Sequence, residues 1–249
     1  MTDIQNEIAD RIVYEDNHII VVNKLPGEIV QGDKSGDEPL VERVREYIRD
    51  KYRKPGNVFC GLVHRLDRPV GGLVIFAKTS KALSRLNEML RNGEIHKTYW
   101  AISRHKPPMA EQTLTHYITT TERNNKSYAS VTPRNGAKEA RLAYRLLTST
   151  ERYNLIEVKL LTGRKHQIRV QLSAIGCPIR GDLKYGDRRS NPDGSISLIA
   201  RELEFVHPVS KKTILLHAPI PDDNLWKALA EDIGQQQQDS PSDNQPNTK

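Results

Sequence analysis

Two short segments hold residue types that could do chemistry. The first is His64-Arg65-Leu66-Asp67-Arg68, followed by Pro69-Val70-Gly71-Gly72 and an apolar run beginning at Leu73. Proline and paired glycines imply a turn. A lone carboxylate held on that turn between two arginines stays ionised, because nearby positive charge favours the charged form. Such a group suits a nucleophile or a general base. The competing reading is a loop with ordinary Arg/Asp surface pairs, which contribute little. The second segment is Thr162-Gly163-Arg164-Lys165-His166-Gln167-Ile168-Arg169. Arg164, Lys165 and nearby amides at a helix start could receive an anion, and Arg169, one turn further in, could pair with a buried carboxylate. A solvated basic helix end is the alternative. His64, His166 and Asp67 include metal-ligating types, but neither a His-x-x-x-His pair nor a carboxylate cluster accompanies them.

The elements that must position these segments follow from hydrophobic period. Arg11–Tyr14 and His18–Val22 flank Glu15-Asp16-Asn17 and read as strands joined by a tight turn. Leu40, Val44, Tyr47, Ile48 and Tyr52 recur at spacings of three and four, predicting a helix between 38 and 54. Its outer face would carry Arg43, Arg45, Arg49, Lys51, Arg53 and Lys54. Residues 72–77 form a β-prone run. Thr79 or Ser80 then caps a helix on Leu83, Leu86, Met89 and Leu90 that Asn92-Gly93 ends. Residues 95–103 predict a strand with Tyr99 and Trp100 on opposite faces. Residues 104–138 read as loops around one strand near 113–119. Strands are expected at 140–147 and 155–161, a helix from His166 to Ile175 ended by Gly176, and late strands at 197–205 and 213–216. A last short helix, capped by Asp222 or Asp223, would run through Leu225, Leu229 and Ile233. The interleaving gives one α+β body without an interior linker.

The chain has 249 residues, with 38 Lys and Arg against 31 Asp and Glu, a net charge of +7. No stretch approaches the roughly 18 apolar residues of a membrane span, and mean hydropathy is −0.63. The acidic, polar start lacks the form of a secretory signal, so a cytoplasmic protein is expected. Cys60 and Cys177 are too few for a disulfide framework or a four-ligand zinc site, and are expected as reduced packing residues. Residues 235–249 contain no aliphatic or aromatic side chain and are expected to be a disordered polar tail after a single domain over 1–234. A pI near 9.3 fits a nucleic-acid partner, although net charge alone equally fits a well-solvated surface.

Taken together, the two segments resemble the RluA family of RNA pseudouridine synthases. That family's pattern around its catalytic aspartate matches from His64 to Lys78. Its Lys-x-Tyr-x-Ala strand matches Lys97-Thr98-Tyr99-Trp100-Ala101, and its Thr-Gly-Arg-x-His-Gln-Ile-Arg segment matches 162–169. Supporting matches occur at Gly176–Asp182, Tyr185-Gly186 and Leu203–Pro208, and coverage runs from about residue 11 to 221. The pattern is broken in three places. Val70-Gly71 stands where Thr-Ser is usual, the loop near Asn23-Lys24-Leu25-Pro26-Gly27 has Leu25 and Gln31 for Pro and His, and Ile199 replaces a His. The N-terminal RNA-binding domain of many members is expected to be absent, since the strand pattern begins at residue 11.

The resemblance implies a pseudouridine synthase fold, a mixed and mostly antiparallel sheet flanked by helices. It implies isomerisation of uridine to pseudouridine in a ribosomal or transfer RNA stem-loop, without metal or cofactor. Asp67 would be the catalytic nucleophile or base on a flipped-out uridine, Tyr99 the ring stacked under the base and Arg169 the basic partner of Asp67. His64, Arg65 and Arg68, with Arg164, Lys165, His166, Gln167 and Ile168, would contact RNA. A monomer with no obligate protein partner is expected. A non-catalytic RNA-binding module that kept the fold is the second reading, and an Asp-dependent hydrolase a weaker third.

Overall fold

The computed structural model describes residues 7–238, and within them an eleven-stranded sheet organises the molecule. Strands β1 (Ile12–Glu15) and β2 (Ile19–Lys24) form the expected hairpin, and α1 (Leu40–Lys51) follows. The short β3 (Gly61–Leu62) leads through the Asp67 loop into β4 (Gly71–Ala77) and α2 (Ser80–Asn92). Next come β5 (His96–Ser103), β6 (Glu111–Thr121), β7 (Lys126–Ser130), β8 (Lys138–Ser149) and β9 (Asn154–Leu160). Helix α3 (Gln167–Ala174), a 3-10 turn (Leu183–Tyr185), β10 (Leu198–Val206), β11 (Thr213–His217) and α4 (Asn224–Gln238) complete the order. Spatially the sheet runs β1-β2-β4-β10-β5-β9-β8-β6-β7, with β11 on β10 and β3 on β4. Among the described strands only β4 and β10 pair in parallel, at Ile199 with Gly71 and Ala200 with Gly72. That contact requires glycine: Gly72 has φ +110°, and a Cβ there would lie 2.4 Å from the Ala200 carbonyl oxygen.

Period-two alternation sends successive side chains to two cores. On one face Val22, Val74, Phe76, Tyr99, Ile156, Val158 and Leu142 pack against Leu40, Val44 and Ile48 of α1 and Ile168 and Leu172 of α3. On the other, Val21, Leu73, Ile75 and Phe205 meet Ala82 and Leu86 of α2, while Ile102, Leu155 and Ile199 meet Trp226 and Leu229 of α4. Burying one such side chain contributes roughly 1.5–3 kcal/mol. Helix α2 has the ends its sequence specifies: Thr79 Oγ1 accepts from the Ala82 amide, and Gly93 closes it in the left-handed region. Cys60 and Cys177 are buried, free thiols, and burial pushes Cys60 up to about 12.

Three expectations need correction. Residues 104–138 hold a long hairpin, β6 with β7, rather than loops around one strand. The basic face of α1 is largely neutralised: Arg43 pairs with Glu28 and Glu7, Arg45 with Glu42, Arg49 with Glu46 and Asp50, and Lys51 with Glu15. The last helix passes the expected boundary at 234 and continues to Gln238, while 239–249 lie outside the described residues. Among the described residues no helix is long and apolar enough to cross a membrane.

Candidate active site

The loop after β3 and the start of α3 meet on the α1/α3 face of the sheet, bringing Asp67 and Arg169 together across 102 positions of sequence. Arg169 Nη1 donates to Asp67 Oδ2 at 3.0 Å. Its other edge is held from behind, where Nε and Nη2 donate to the two oxygens of Asp182 at 2.7 and 2.9 Å. The Asp182 side chain is 1% exposed, whereas that of Asp67 is 29% exposed. One guanidinium therefore serves a buried structural carboxylate and a solvent-facing one. Burial alone would lower the Arg169 pKa, but the hydrogen bonds and charge of Asp182, with Asp67, outweigh it and raise it. Tyr185 lies against the guanidinium, its ring 5.0 Å from Arg169 Cζ.

A second side chain faces Asp67. His166 Nε2 is 3.7 Å from the same Oδ2, and its Nδ1 is 2.8 Å from the Tyr185 hydroxyl. That hydroxyl accepts the Ser127 amide proton at 2.8 Å, so its own proton is directed to Nδ1. Burial holds His166 down at about 4 against the pull of Asp67, with Arg169, Lys184 and Lys165 also lowering it, so the neutral ring prevails at neutral pH. His166 occupies the left-handed region, φ 55°, uncommon for a residue other than glycine and the kind of conformation that clusters at functional sites. Arg169 donates to Oδ2 and His166 Nε2 stands 3.7 Å from the same oxygen, beyond hydrogen-bond distance, while among the described residues no protein donor is placed on Asp67 Oδ1.

The Asp67 loop is anchored from beneath by Lys24. Its ammonium is 1% exposed and donates to the carbonyls of Leu25, Arg68 and Val70 at 3.0, 3.1 and 2.6 Å. Burial lowers it to about 8, against the charges of Glu28 and Asp67. Tyr99, 5% exposed, is packed in the same core as Leu66 and Ile168. Burial, and then the charge of Asp67, raise its phenol pKa.

The remaining expected residues divide sharply. Arg65, Arg68, Arg164 and Lys165 are exposed. Arg68 pairs with Asp37 at 2.6 Å, and Arg164 Nε donates to the Glu139 carbonyl. His64 lies in the interior: its Nε2 accepts the Ile75 amide, and burial, then Lys97, lower it to about 3. Gln167 and Ile168 are buried as well. Gln167 Oε1 accepts from the Arg164 amide and the Thr162 hydroxyl, shaping the turn into α3. Asp182, Tyr185, Ser127 and Lys24 were not singled out as site residues from sequence. The first two lay within supporting motif matches, and an Asp following a glycine in a matched segment was the available signal. Of the departures, Val70 is core and Ile199 packs with Trp226 behind the sheet. No group of three or more His, Cys, Asp or Glu among the described residues could hold a metal ion.

Comparison with known proteins bears on this geometry. The RNA pseudouridylate synthase family matches residues 18–174. The chain is 32% identical over 229 residues to the ribosomal large subunit pseudouridine synthase C of Vibrio cholerae, covering 90% of this chain and 69% of that protein. It is also 32% identical to the tRNA pseudouridine synthase C of Vibrio parahaemolyticus, covering 88% and 92%. The solved structure of human RNA Pseudouridylate Synthase Domain Containing 4 shares the fold, with a TM-score of 0.75 at 24% identity over 92% of this chain and 95% of that one.

Proposed function

Since this chain belongs to the RNA pseudouridylate synthase family, a family of RNA isomerases, we propose that it converts uridine in structured ribosomal or transfer RNA to pseudouridine, with Asp67 acting directly on the flipped-out nucleotide. The observation that carries this reading is the Arg169 guanidinium shared between Asp182 and Asp67. It fixes one carboxylate oxygen and leaves Oδ1 for the substrate.

The net reaction breaks the bond from ribose C1′ to N1 and forms one from C1′ to C5. The C5 proton leaves and N1 acquires a proton, so atoms and charge balance. Asp67 Oδ1 acts on the sugar or the ring, as nucleophile or base, while Arg169 holds and stabilises Oδ2. A paired or stacked uridine must first leave the helix, at a cost of a few kcal/mol. In this reading Tyr99, 5% exposed, packs against the base and offsets some of that cost, since stacking on an aromatic ring is worth about 1–3 kcal/mol. Arg65 and Lys165, both exposed, meet the RNA backbone. Metal and cofactor independence, monomeric action, a single catalytic unit and a cytoplasmic location belong to the same proposal.

Tritium release from RNA transcripts labelled at uridine C5 tests the reading. Release from a ribosomal or a transfer RNA pool would establish the isomerase and select the substrate class. If neither pool releases tritium while the protein still binds RNA, the binding-module reading takes its place.

A further inference from the structure

An open cleft of about 430 Å³ lies between β7, α3 and the 3-10 turn, and Tyr185, which packs on Arg169 and bonds His166, forms part of its wall. That volume falls within the range of about 300–1,000 Å³ typical of small-ligand sites. Ala129, Val170, Ala174 and Leu183 provide its apolar lining, and Lys126, Tyr128 and Lys184 its polar and aromatic one. Lys126 Nζ stands 5.5 Å from the Tyr185 ring and 5.9 Å from the Tyr128 ring. Lys184 Nζ donates to the Asn125 carbonyl at 3.0 Å. Neither ammonium has a carboxylate partner among the described residues, in contrast to the paired cations of α1. Tyr128 is 45% exposed, and its hydroxyl accepts from the Asn124 side-chain amide, which fixes the ring at the hairpin tip. The stretch of chain that holds β6 to β9 is basic: residues 104–165 carry twelve Lys and Arg against five Asp and Glu, a net +7 equal to that of the whole chain.

An apolar pocket, an exposed aromatic ring and two unneutralised ammoniums together fit a base and its phosphate better than either alone. We propose that this cleft is a second nucleotide subsite, taking a nucleotide that flanks the target uridine, its base on Tyr128 and the apolar lining and its phosphate between Lys126 and Lys184. The subsite rests on the RNA-isomerase reading for its ligand but takes no part in the chemical step.

Binding and turnover therefore separate its test from that of the reading itself. Affinity of the wild type, Lys126→Ala/Lys184→Ala, Tyr128→Ala, Tyr128→Phe and the distant control Lys81→Ala would be titrated against salt on the RNA pool that releases tritium, or on both pools if neither does. Single-stranded contacts contribute a slope of about 0.7 per phosphate, so the double variant, which gives up one phosphate contact, is expected to lose about 0.7 from the slope of log Kd on log salt. Tyr128→Ala is expected to weaken binding roughly tenfold, with Tyr128→Phe close to wild type. In turnover KM rises and kcat stays within twofold. Slopes and affinities equal to those of Lys81→Ala would overturn the subsite. Absence of turnover by the wild type, with the slope changes intact, would overturn the isomerase reading and leave the RNA subsite standing.

Discussion

Removing the carboxylate behind Arg169 tests whether the guanidinium is positioned rather than merely present. Asp182 accepts two hydrogen bonds from Arg169, at 2.7 and 2.9 Å, from a side chain only 1% exposed. Breaking a buried pair from one side costs about 3–5 kcal/mol, because the surviving charge is left without its partner. In a domain of this size 1 kcal/mol moves Tm by about 2–4 °C, so Asp182→Ala is expected to melt about 6–20 °C lower. Asp182→Asn keeps the shape and one acceptor oxygen. Losing one charge-assisted bond, at about 1.5–3 kcal/mol, lowers Tm by about 3–12 °C. Asp182 is buried behind the guanidinium, so KM is expected to hold. The freed guanidinium swings relative to Asp67, and misplacement on the scale of 1 Å costs about 10²-fold in kcat. Thermal melts followed by circular dichroism and steady-state tritium release read both effects. An Asp182→Asn protein that melts within 2 °C of wild type and turns over normally would refute the positioning argument.

Other consequences follow from the same geometry. Lys24 is held at about 8 by burial, below its ordinary 10.5. Its charge is therefore a burden on the fold below pH 8 that is relieved as pH rises to 10.5, so wild type gains stability relative to Lys24→Met across that window. Parallel melting curves would contradict this. His166, lowered by burial from 6.5 to about 4, contributes stability that is present above pH 6.5 and lost as pH falls toward 4. His166→Asn is expected to flatten that part of the Tm profile, and an unchanged slope would assign the acid loss elsewhere. Arg49 on α1 is occupied by Glu46 and Asp50, so Arg49→Ala is expected to leave RNA affinity and its salt slope unchanged in a filter-binding titration.

Much of the fold is legible in the sequence where hydrophobic period and caps agree. Thr79 and Gly93 bound α2, and Leu40, Val44 and Ile48 mark the buried face of α1. The β6–β7 hairpin was hidden because its inward positions are not consistently apolar. His116 faces inward and meets Gln171, while the β7 inward positions are Ser127 and Ala129, too small and polar to give an alternating signal. The partly solvated hairpin tip gave no stronger mark. Within the site, Asp67, Arg169 and His166 stand out as residue types in two dense motifs, and Arg169 was legible as the partner of a buried carboxylate. That carboxylate's identity was not, since Asp182 lies 13 residues on and reaches Arg169 only through the turn after α3. The neutralisation of the α1 cations was equally invisible, because Glu7, Glu15 and Glu28 arrive from distant segments.

Asp67 is proposed to perform the chemistry, and single-turnover tritium release with enzyme in excess over C5-labelled RNA shows whether it does. The wild type is expected to release tritium in one phase. Asp67→Asn, which keeps the side-chain shape and an oxygen for Arg169, is expected to bind the same RNA within about threefold and to release none. Release by Asp67→Asn at a rate near that of wild type would contradict the account and move the reacting group elsewhere.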